Sequence, residues 1–330
     1  MNIAISIEHP AWIHQFHAII KQLQHEGHNV LVLSIKKDVS IELLQKFDIT
    51  YTLIAKSTGK NILEKTWLFI YTALKYYLAS KKFKADIFIG RASPMLAIAS
   101  FLQHKPHVIF EDTEHAIIGL FFCKLLSNSI LTNSSFRKNL GKKQVLVESY
   151  KELFYLHPEQ FVPDAAVLSE IGLEPDQPYF VIRFVAWQAD HDFGHKGLTM
   201  DTKRLVINEL KKYGRVLITS EKPLTAEFEE YRISLAPEKI HHLLYFASFL
   251  YGESSTMATE AAVLGTQAIF CDFTGRGYTD ELEQKYDLVY NFKLDKDSQQ
   301  KSVAKAIELA KKSNLKAIGK KNVLNFFRKR

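Results

Sequence analysis

Cysteine is scarce in this sequence, and long apolar runs are missing. Only Cys123 and Cys271 occur among 330 residues, which excludes a disulfide framework or a cysteine-based zinc site and fits a reducing cytosol. No uncharged apolar stretch approaches the ~18 residues of a transmembrane helix. The first residues, MNIAISIEHP, carry no basic n-region, so no signal peptide is predicted. We therefore expect a cytoplasmic protein.

A strong excess of either charge is also absent. The formal net charge is +7, and apolar residues make up 47% of the chain, which is an ordinary balance for a globular protein. The mild basic excess allows an anionic partner, such as a nucleotide, an anionic lipid or a nucleic acid. Because the basic residues are scattered and no nucleic-acid motif is present, nucleic acid is not a predicted partner.

Strand and helix patterns alternate along the chain in two successive arrays. The first array opens with a β-branched strand, a helix with apolar residues three and four apart, and a second strand, which is a βαβ unit. A proline-rich stretch then separates it from the second array. This order predicts the α/β class, with two Rossmann-like doubly wound domains facing a cleft. The predicted parts are a first domain at 1–160, a linker at 161–178, a second domain at 179–305, and a basic helix at 306–330 that packs back on the first domain.

The stretch FLYGESSTMATEAAVLGTQAIF in the second array carries the most specific pattern. An apolar strand runs into Ser254, Ser255 and Thr256, and a helix with Glu260 near its start follows. Hydroxyl residues at a strand-to-helix turn can hold an anion together with the helix N-terminus, and Glu260 can accept hydrogen bonds from the hydroxyls of a ribose. The alternative is that the three hydroxyl residues only cap the helix and that Glu260 is an exposed acid.

His9 follows the first predicted strand, at the edge where open α/β sheets bind ligands. An imidazole titrates near neutral pH, so His9 can serve as the general base that deprotonates a hydroxyl group. The alternative is that His9 and Pro10 only shape the turn into the next helix.

Three carboxylates and a histidine follow another predicted strand, in the sequence EDTEH at 111–115. Carboxylates are costly to crowd together unless something binds there. Asp112 or Glu114 can act as the base, and His115 can contact a sugar or a phosphate. The alternative is a polar loop that caps the next helix. No metal site is predicted, since a second cluster of ligands is not evident.

Two more basic residues are candidates for contacts with a sugar or an acceptor. Arg91 stands in Gly-Arg-Ala-Ser-Pro at a strand-to-helix turn, and Lys196 ends a polar loop after Arg183. The alternatives are an incidental arginine beside a capped helix and a solvated loop. Although His191, Asp192 and His195 in this loop resemble a set of metal ligands, a solvated or phosphate-facing loop is the prediction.

The predicted helix at 63–84 mixes aromatic residues with lysines. Tyrosine and tryptophan among lysines suit a surface at the level of lipid headgroups, so this segment predicts peripheral membrane contact at the inner face of the membrane. The alternative is an amphipathic helix that packs on the protein and exposes a basic face.

The order Gly-acid-Ser-Ser-Thr-Met-Ala-x-Glu-Ala-Ala-x-Leu-Gly-Thr resembles the donor site of GT-B-fold proteins. That superfamily includes nucleotide-sugar glycosyltransferases and the non-hydrolysing UDP-N-acetylglucosamine 2-epimerases. Nearly the whole chain is similar to the family called domain of unknown function 354. The stretches that carry this resemblance are His9-Pro10, Gly27-His28, Glu111-Asp112-Thr113-Glu114-His115, Tyr155-Leu156-His157-Pro158, Arg183-Phe184-x-Ala186-Trp187 and Ser254-Ser255-Thr256-Met257.

The resemblance implies roles for several of these residues. Glu260 would hold the ribose of a nucleotide sugar, while Ser254, Ser255 and Thr256 would meet its diphosphate. Arg183 would add charge-assisted hydrogen bonds to that diphosphate. Glu253 stands where relatives often have aspartate, so no role is predicted for it.

These observations predict a metal-independent glycosyltransferase that uses no cofactor. It would move a sugar from a nucleotide-sugar donor to a saccharide or polyprenyl-linked acceptor in surface polysaccharide biosynthesis. Two alternatives remain open. One is a nucleotide-sugar 2-epimerase of the same fold, and the other is a non-catalytic nucleotide-sugar-binding protein.

Overall fold

A computed structural model describes residues 1–37, 39–55, 62–174, 176–184, 197–220 and 224–328 of the chain. The chain divides into two compact units, residues 1–155 and residues 156–330. None of the helices within the described residues is long and apolar enough to cross a membrane.

The first unit is built on a parallel sheet of seven strands in the order β3-β2-β1-β4-β5-β6-β7. The order reverses at β1, which pairs with β2 on one side and with β4 on the other. Ligands of open α/β sheets bind at the carboxyl ends of strands near such a reversal. The strands are β1 (Asn2–Ile7), β2 (Asn29–Ile35), β3 (Thr52–Ala55), β4 (Ile87–Gly90), β5 (His107–Phe110), β6 (Ser129–Asn133) and β7 (Gln144–Val147).

Within the described residues, seven helices lie in the first unit and in the segment that follows it. Because parallel strands are joined by right-handed crossovers, α3, α4 and α5 return along the same face of the sheet, and α4 contacts both of its neighbours. The helices are α1 (Pro10–His25), α2 (Ser40–Lys46), α3 (Ile62–Phe83), α4 (Pro94–Leu102), α5 (Ile117–Leu126), α6 (Leu153–Leu156) and α7 (Ala166–Glu170).

The second unit has a parallel sheet of five strands in the order β12-β11-β10-β8-β9. The chain order reverses at β8, which lies between β9 and β10. This arrangement is the flavodoxin-like strand order, in which the ligand crevice lies where the order reverses. The strands are β8 (Tyr179–Phe184), β9 (Arg215–Ser220), β10 (Phe249–Gly252), β11 (Ala268–Cys271) and β12 (Val289–Phe292).

The helices of the second unit include the basic segment at the end of the chain. The last helix packs against α10 and α11, and its Gly319 lies so close to Gly265 that a Cβ there would be 2.3 Å from the Gly265 carbonyl oxygen. Its predicted contact with the first domain stays a prediction. These helices are α8 (Met200–Leu210), α9 (Ile240–Phe246), α10 (Ser255–Val263), α11 (Gly277–Tyr286), α12 (Lys296–Ala310) and α13 (Leu315–Phe327).

The predicted α/β class with two parallel doubly wound sheets is confirmed, with two local differences. The spacing of apolar residues at 226–234 predicts a helix there, whereas the structure has a 3-10 helix over Ala226–Tyr231. This helix ends early because Arg232 forms a bridge to Ile218 on β9. The pair α11 and β12 was not predicted, since its polar sequence has weak apolar periodicity.

Candidate functional site

In the second unit, the ends of β8 and β10 lie side by side where the strand order reverses. Gly252 pairs with Arg183 in the register of the two strands. A Cβ at Gly252 would lie 2.2 Å from the Arg183 carbonyl oxygen, so only glycine permits this close pairing. Arg183 also donates from Nη1 to Thr219 Oγ1 on β9, at 3.3 Å. The guanidinium is therefore held at the carboxyl edge of the sheet.

The hydroxyl-rich turn begins α10 at the same edge. Ser254 is the N-cap residue, and its Oγ accepts a hydrogen bond from the Met257 amide at 3.3 Å. This contact is the capping role that the sequence also allowed. Ser255 and Thr256 form the first turn and are half-buried. A helix N-terminus with two hydroxyl groups, at the end of the strand that pairs with the strand of Arg183, is a chemically suitable place for a phosphate group.

Glu260 lies farther along α10 and contacts a histidine that the sequence analysis did not single out. Glu260 Oε1 is 3.0 Å from His241 Nε2 on α9, and both side chains are buried. The alternative of an exposed first-turn acid is therefore wrong. The only sequence signal for His241 was the His241-His242 pair on a predicted helix. That Glu260 holds a ribose stays a prediction.

Glu253 has a structural contact. Its Oε1 accepts a hydrogen bond from the Leu198 amide at 2.6 Å, and the side chain is buried. Glu253 thus holds the start of the segment that leads to α8. Lys196, the predicted sugar contact, lies outside the described residues, as does the rest of 185–196.

In the first unit, the turns after β4 and β5 are joined by a buried network of ion pairs. Arg91 Nη2 donates to the carboxylates of Glu111 and Asp112, and Lys151 donates to the other oxygen of Asp112. Glu111 also accepts from the backbone amides of Ala92 and Thr113, at 3.1 and 3.0 Å. The network explains why several carboxylates can be buried together.

The network controls the proton affinity of Asp112. Burial alone would raise the pKa of its carboxyl group, but the charges of Arg91 and Lys151 outweigh burial and hold the pKa well below its usual range. An ionised carboxylate with a low pKa is a weak base. Asp112 is therefore better suited to fixing the cations than to removing a proton from a hydroxyl group.

Glu114 and His115 complete the EDTEH segment. Glu114 is buried and accepts from the Arg137 amide at 3.3 Å, whereas His115 is exposed just before α5. The N-cap residue of α5 is Ala116, and no side chain caps this helix. The capping alternative for this segment is therefore wrong.

His9 and its neighbour Glu8 stand at the end of β1. His9 Nδ1 accepts a hydrogen bond from the Ala11 amide at 3.2 Å, which is the turn-shaping contact that the sequence allowed. A neutral imidazole that accepts at Nδ1 carries its proton on Nε2. The role of His9 as a base stays a prediction.

Glu8 is a candidate that sequence reasoning missed, although its place beside His9 at a strand end was visible. Tyr76 donates to Glu8 Oε1 at 3.0 Å, and Ser93 donates to the same oxygen. Burial raises the pKa of the Glu8 carboxyl above its ordinary value, and the two hydrogen bonds only partly offset this effect. A carboxyl group with a raised pKa is a better base than Asp112 once it is ionised.

These contacts bring three strand ends of the first unit together. Ser93 ties the turn after β4 to Glu8 after β1, and Arg91 ties it to Glu111 after β5. Across the described residues, no group of three or more histidine, cysteine, aspartate or glutamate side chains is arranged to hold a metal ion.

Solved structures of similar fold include both of the enzyme classes that the sequence resembled. UDP-GlcNAc 2-epimerase from Neisseria meningitidis, bound to UDP-GlcNAc, has a TM-score of 0.68 at 12% identity, with all of both chains covered. The 2-epimerase from Methanocaldococcus jannaschii has a TM-score of 0.67 at 12% identity, covering 95% of this chain and 94% of its own. The glycosyltransferase VinC in complex with dTDP has a TM-score of 0.64 at 10% identity, covering 99% and 95%.

At these identities the likeness shows the fold, which is that of GT-B glycosyltransferases and the related epimerases. No curated protein matches the sequence. The family model described as protein of unknown function, DUF354, matches residues 1–291. The chain therefore belongs to the DUF354 family.

Proposed function

We propose that this protein is a glycosyltransferase that moves a sugar from a nucleotide-sugar donor to a saccharide or lipid-linked acceptor, in the synthesis of a surface polysaccharide. The observation that carries the proposal is the corner of the second unit where Arg183, Ser255 and Thr256 stand at the reversal of strand order. VinC in complex with dTDP is a transferase of this fold with a nucleotide bound.

The second unit would hold the donor. Arg183 and the N-terminus of α10 stabilise the negative charge of the diphosphate, which increases as the bond to the sugar breaks. Ser255 and Thr256 donate hydrogen bonds to the same oxygens. Glu260, oriented by His241, accepts hydrogen bonds from the ribose hydroxyls. The nucleotide sugar is the substrate, and the proposed reaction includes no further cofactor.

The first unit would bind the acceptor and remove the proton of its attacking hydroxyl group. Glu8 is the proposed base, because its raised pKa gives the ionised carboxylate more proton affinity than Asp112 has. His9 and Glu114 are the alternative bases. Arg91 and Asp112 keep the turns after β4 and β5 in place, and His115 is a further candidate for acceptor contact.

Two of the similar structures are 2-epimerases, which supports a second candidate function. In such a reaction a base removes a proton from the sugar, and the nucleotide is eliminated and then returned. No acceptor is needed, so incubation with UDP-GlcNAc alone separates the two functions. Formation of the epimeric sugar would support the epimerase and would contradict the transferase proposal.

Binding of the donor is tested by calorimetry with UDP, dTDP and CDP. Arg183→Ala should weaken binding of the preferred diphosphate by about tenfold or more, because a charge-assisted hydrogen bond is lost. Lys312→Ala, on the exposed turn after α12, is the matched control and should leave the affinity unchanged. A diphosphate that binds without turnover of any sugar donor would indicate a binding protein.

A further inference from the structure

The outer face of α3 is apolar rather than only basic. Trp67 is 70% exposed and Leu74 is 53% exposed. On the opposite face of the helix, Thr72, Ala73 and Tyr76 are buried. This face is therefore the one by which α3 packs on the rest of the first unit. The amphipathic packing that the sequence allowed therefore explains the buried face of α3 but not its exposed apolar face. The exposed apolar residues recur three and four apart: Trp67, Ile70, Tyr71, Leu74 and Leu78.

The same apolar face continues over α4 and α5. Phe101 and Leu102 are exposed at the end of α4, and the rings of Phe69 on α3 and Phe122 on α5 are 5.9 Å apart. Eleven of the nineteen large apolar side chains exposed in the described part of the chain lie on these three helices. Those on α5 are Ile117, Ile118, Phe121 and Leu125. We call the outer face of α3, α4 and α5 the three-helix surface.

An apolar surface of this extent on a folded chain marks a binding face. The charged residues on the same helices indicate what kind of partner this surface binds. The stretches 62–84, 101–105 and 117–126 contain seven lysines and a single acid, Glu64. The ammonium of Lys75 is 5.4 Å from the centre of the Tyr71 ring, so a positive charge lies next to one of the exposed rings of this surface.

A second copy of the chain fits this charge pattern poorly. A two-fold interface pairs a surface with itself, so the lysines would face lysines with almost no acid to balance them. A bilayer with anionic headgroups balances them and accepts tryptophan and tyrosine at the interface. We infer that the first unit docks through the three-helix surface on membranes that contain anionic phospholipid.

The three-helix surface lies next to the carboxyl edge of the sheet in the first unit. α5 begins at Ile117, two residues after the last residue of the EDTEH segment, so exposed Ile117 and Ile118 stand at the carboxyl edge of the sheet. Arg91 and Glu111 lie at that same edge. A membrane-bound first unit therefore presents this edge close to the lipid headgroups. The docking itself does not depend on which reaction the protein catalyses.

The test is cosedimentation of the full chain with vesicles of phosphatidylcholine alone or mixed with phosphatidylglycerol. We expect binding to the mixed vesicles that weakens as salt is added, because the lysines interact with anionic headgroups. The double variant Trp67→Ser/Ile118→Ser should weaken binding by about tenfold or more, since two large apolar side chains are lost. Because both residues are exposed, the double variant should unfold at the same temperature as the unchanged chain. Thermal unfolding checks that its fold is intact.

Leu205→Ser is the matched control, since this exposed leucine lies on α8 of the second unit, and it should bind vesicles like the unchanged chain. Absence of binding to mixed vesicles, or equal binding by the double variant, would overturn the proposal. A dimer in analytical ultracentrifugation that the double variant dissociates would show that a second copy covers the surface instead.

Discussion

His241 Nε2 lies 3.0 Å from Glu260 Oε1 and joins α9 to α10 inside the second unit. Both residues are 5% exposed, so burial and the contact with His241 fix the direction of the carboxylate. Phe161 adds an edge contact to the His241 ring, with the centroids 6.4 Å apart. A carboxylate held in this way is preorganised, which would lower the entropy cost of the ribose contact that we propose.

Glu260→Gln tests the ribose assignment. Glutamine keeps the shape of the side chain but removes the charge that strengthens hydrogen bonds from the ribose hydroxyls. We expect the affinity for the preferred nucleoside diphosphate to fall by about tenfold to a hundredfold in calorimetry. Glu308→Gln changes an exposed acid on α12 and should have no effect. Equal affinities of Glu260→Gln and the unchanged chain would remove Glu260 from the site.

Glu8→Gln tests the proposed base through pH. Turnover by the unchanged enzyme should rise with pH as Glu8 ionises, at a pH above the ordinary glutamate value of about 4.3. The variant should lose this rise, and kcat should fall by about a hundredfold or more. A variant with unchanged kcat and the same pH profile would exclude Glu8 as the base.

The raised pKa of Glu8 also predicts a stability effect of definite sign. The folded chain binds this proton more tightly than the unfolded chain, so the contribution to the free energy of unfolding is complete below about pH 4.3 and is lost as pH rises through the folded pKa. Urea unfolding across this range measures it. Because glutamine does not titrate, the free energy of unfolding of the unchanged chain should fall relative to that of Glu8→Gln as pH increases.

Asp112→Asn should destabilise the first unit. The substitution leaves the buried cations Arg91 and Lys151 without one of their counter-charges, which costs about 3–5 kcal/mol of unfolding free energy. Because the pKa of Asp112 is depressed, its contribution is present above about pH 3.9 and disappears as pH falls further. Asp201→Asn, at a 97% exposed side chain, is the control. A variant as stable as this control would show that the network contributes little.

The half-buried Lys320 in the second unit predicts a further pH dependence of stability. Its ammonium donates to the Leu264 carbonyl at 2.5 Å and lies over the Tyr245 ring. Burial, followed by the charge of Lys316, lowers the pKa of Lys320 to about 7. The folded chain therefore binds this proton less tightly than the unfolded chain, and its stability should rise between about pH 7 and pH 10.

Lys320→Met removes the titrating group, so its stability should lack this rise. Chemical unfolding of both proteins at several pH values measures the difference. A constant difference in unfolding free energy over that range would contradict the lowered pKa.

Local patterns in the sequence were sufficient to predict most of the fold. The run NVLVLSI matches β2, and the run FLYG matches β10, because apolar β-branched and aromatic residues favour buried parallel strands. The pair α11 and β12 could not be found in the same way. The sequence GYTDELEQKY places polar residues such as Thr279 and Glu281 on its buried side, so apolar periodicity gave no signal.

The sequence was sufficient to predict which residues lie at the strand ends of the candidate sites, but not which of these residues contact each other. Strand ends such as Arg91, Asp112 and Arg183 were visible, because ligands bind at the carboxyl edge of such sheets. That Arg91 would neutralise Asp112, and that Glu8 would meet Tyr76, depended on residues far apart in the chain. The pairing of His241 with Glu260 was hidden for the same reason, since pairing across two helices has no local pattern.

The most direct test of the donor site is calorimetric titration of the full chain with UDP, dTDP and CDP, each repeated with Arg183→Ala and Lys312→Ala. We predict that one diphosphate binds, that Arg183→Ala weakens this binding by about tenfold or more, and that Lys312→Ala does not change it. If no diphosphate binds, or if Arg183→Ala binds it as tightly as the unchanged chain, the corner of Arg183, Ser255 and Thr256 is not a donor site.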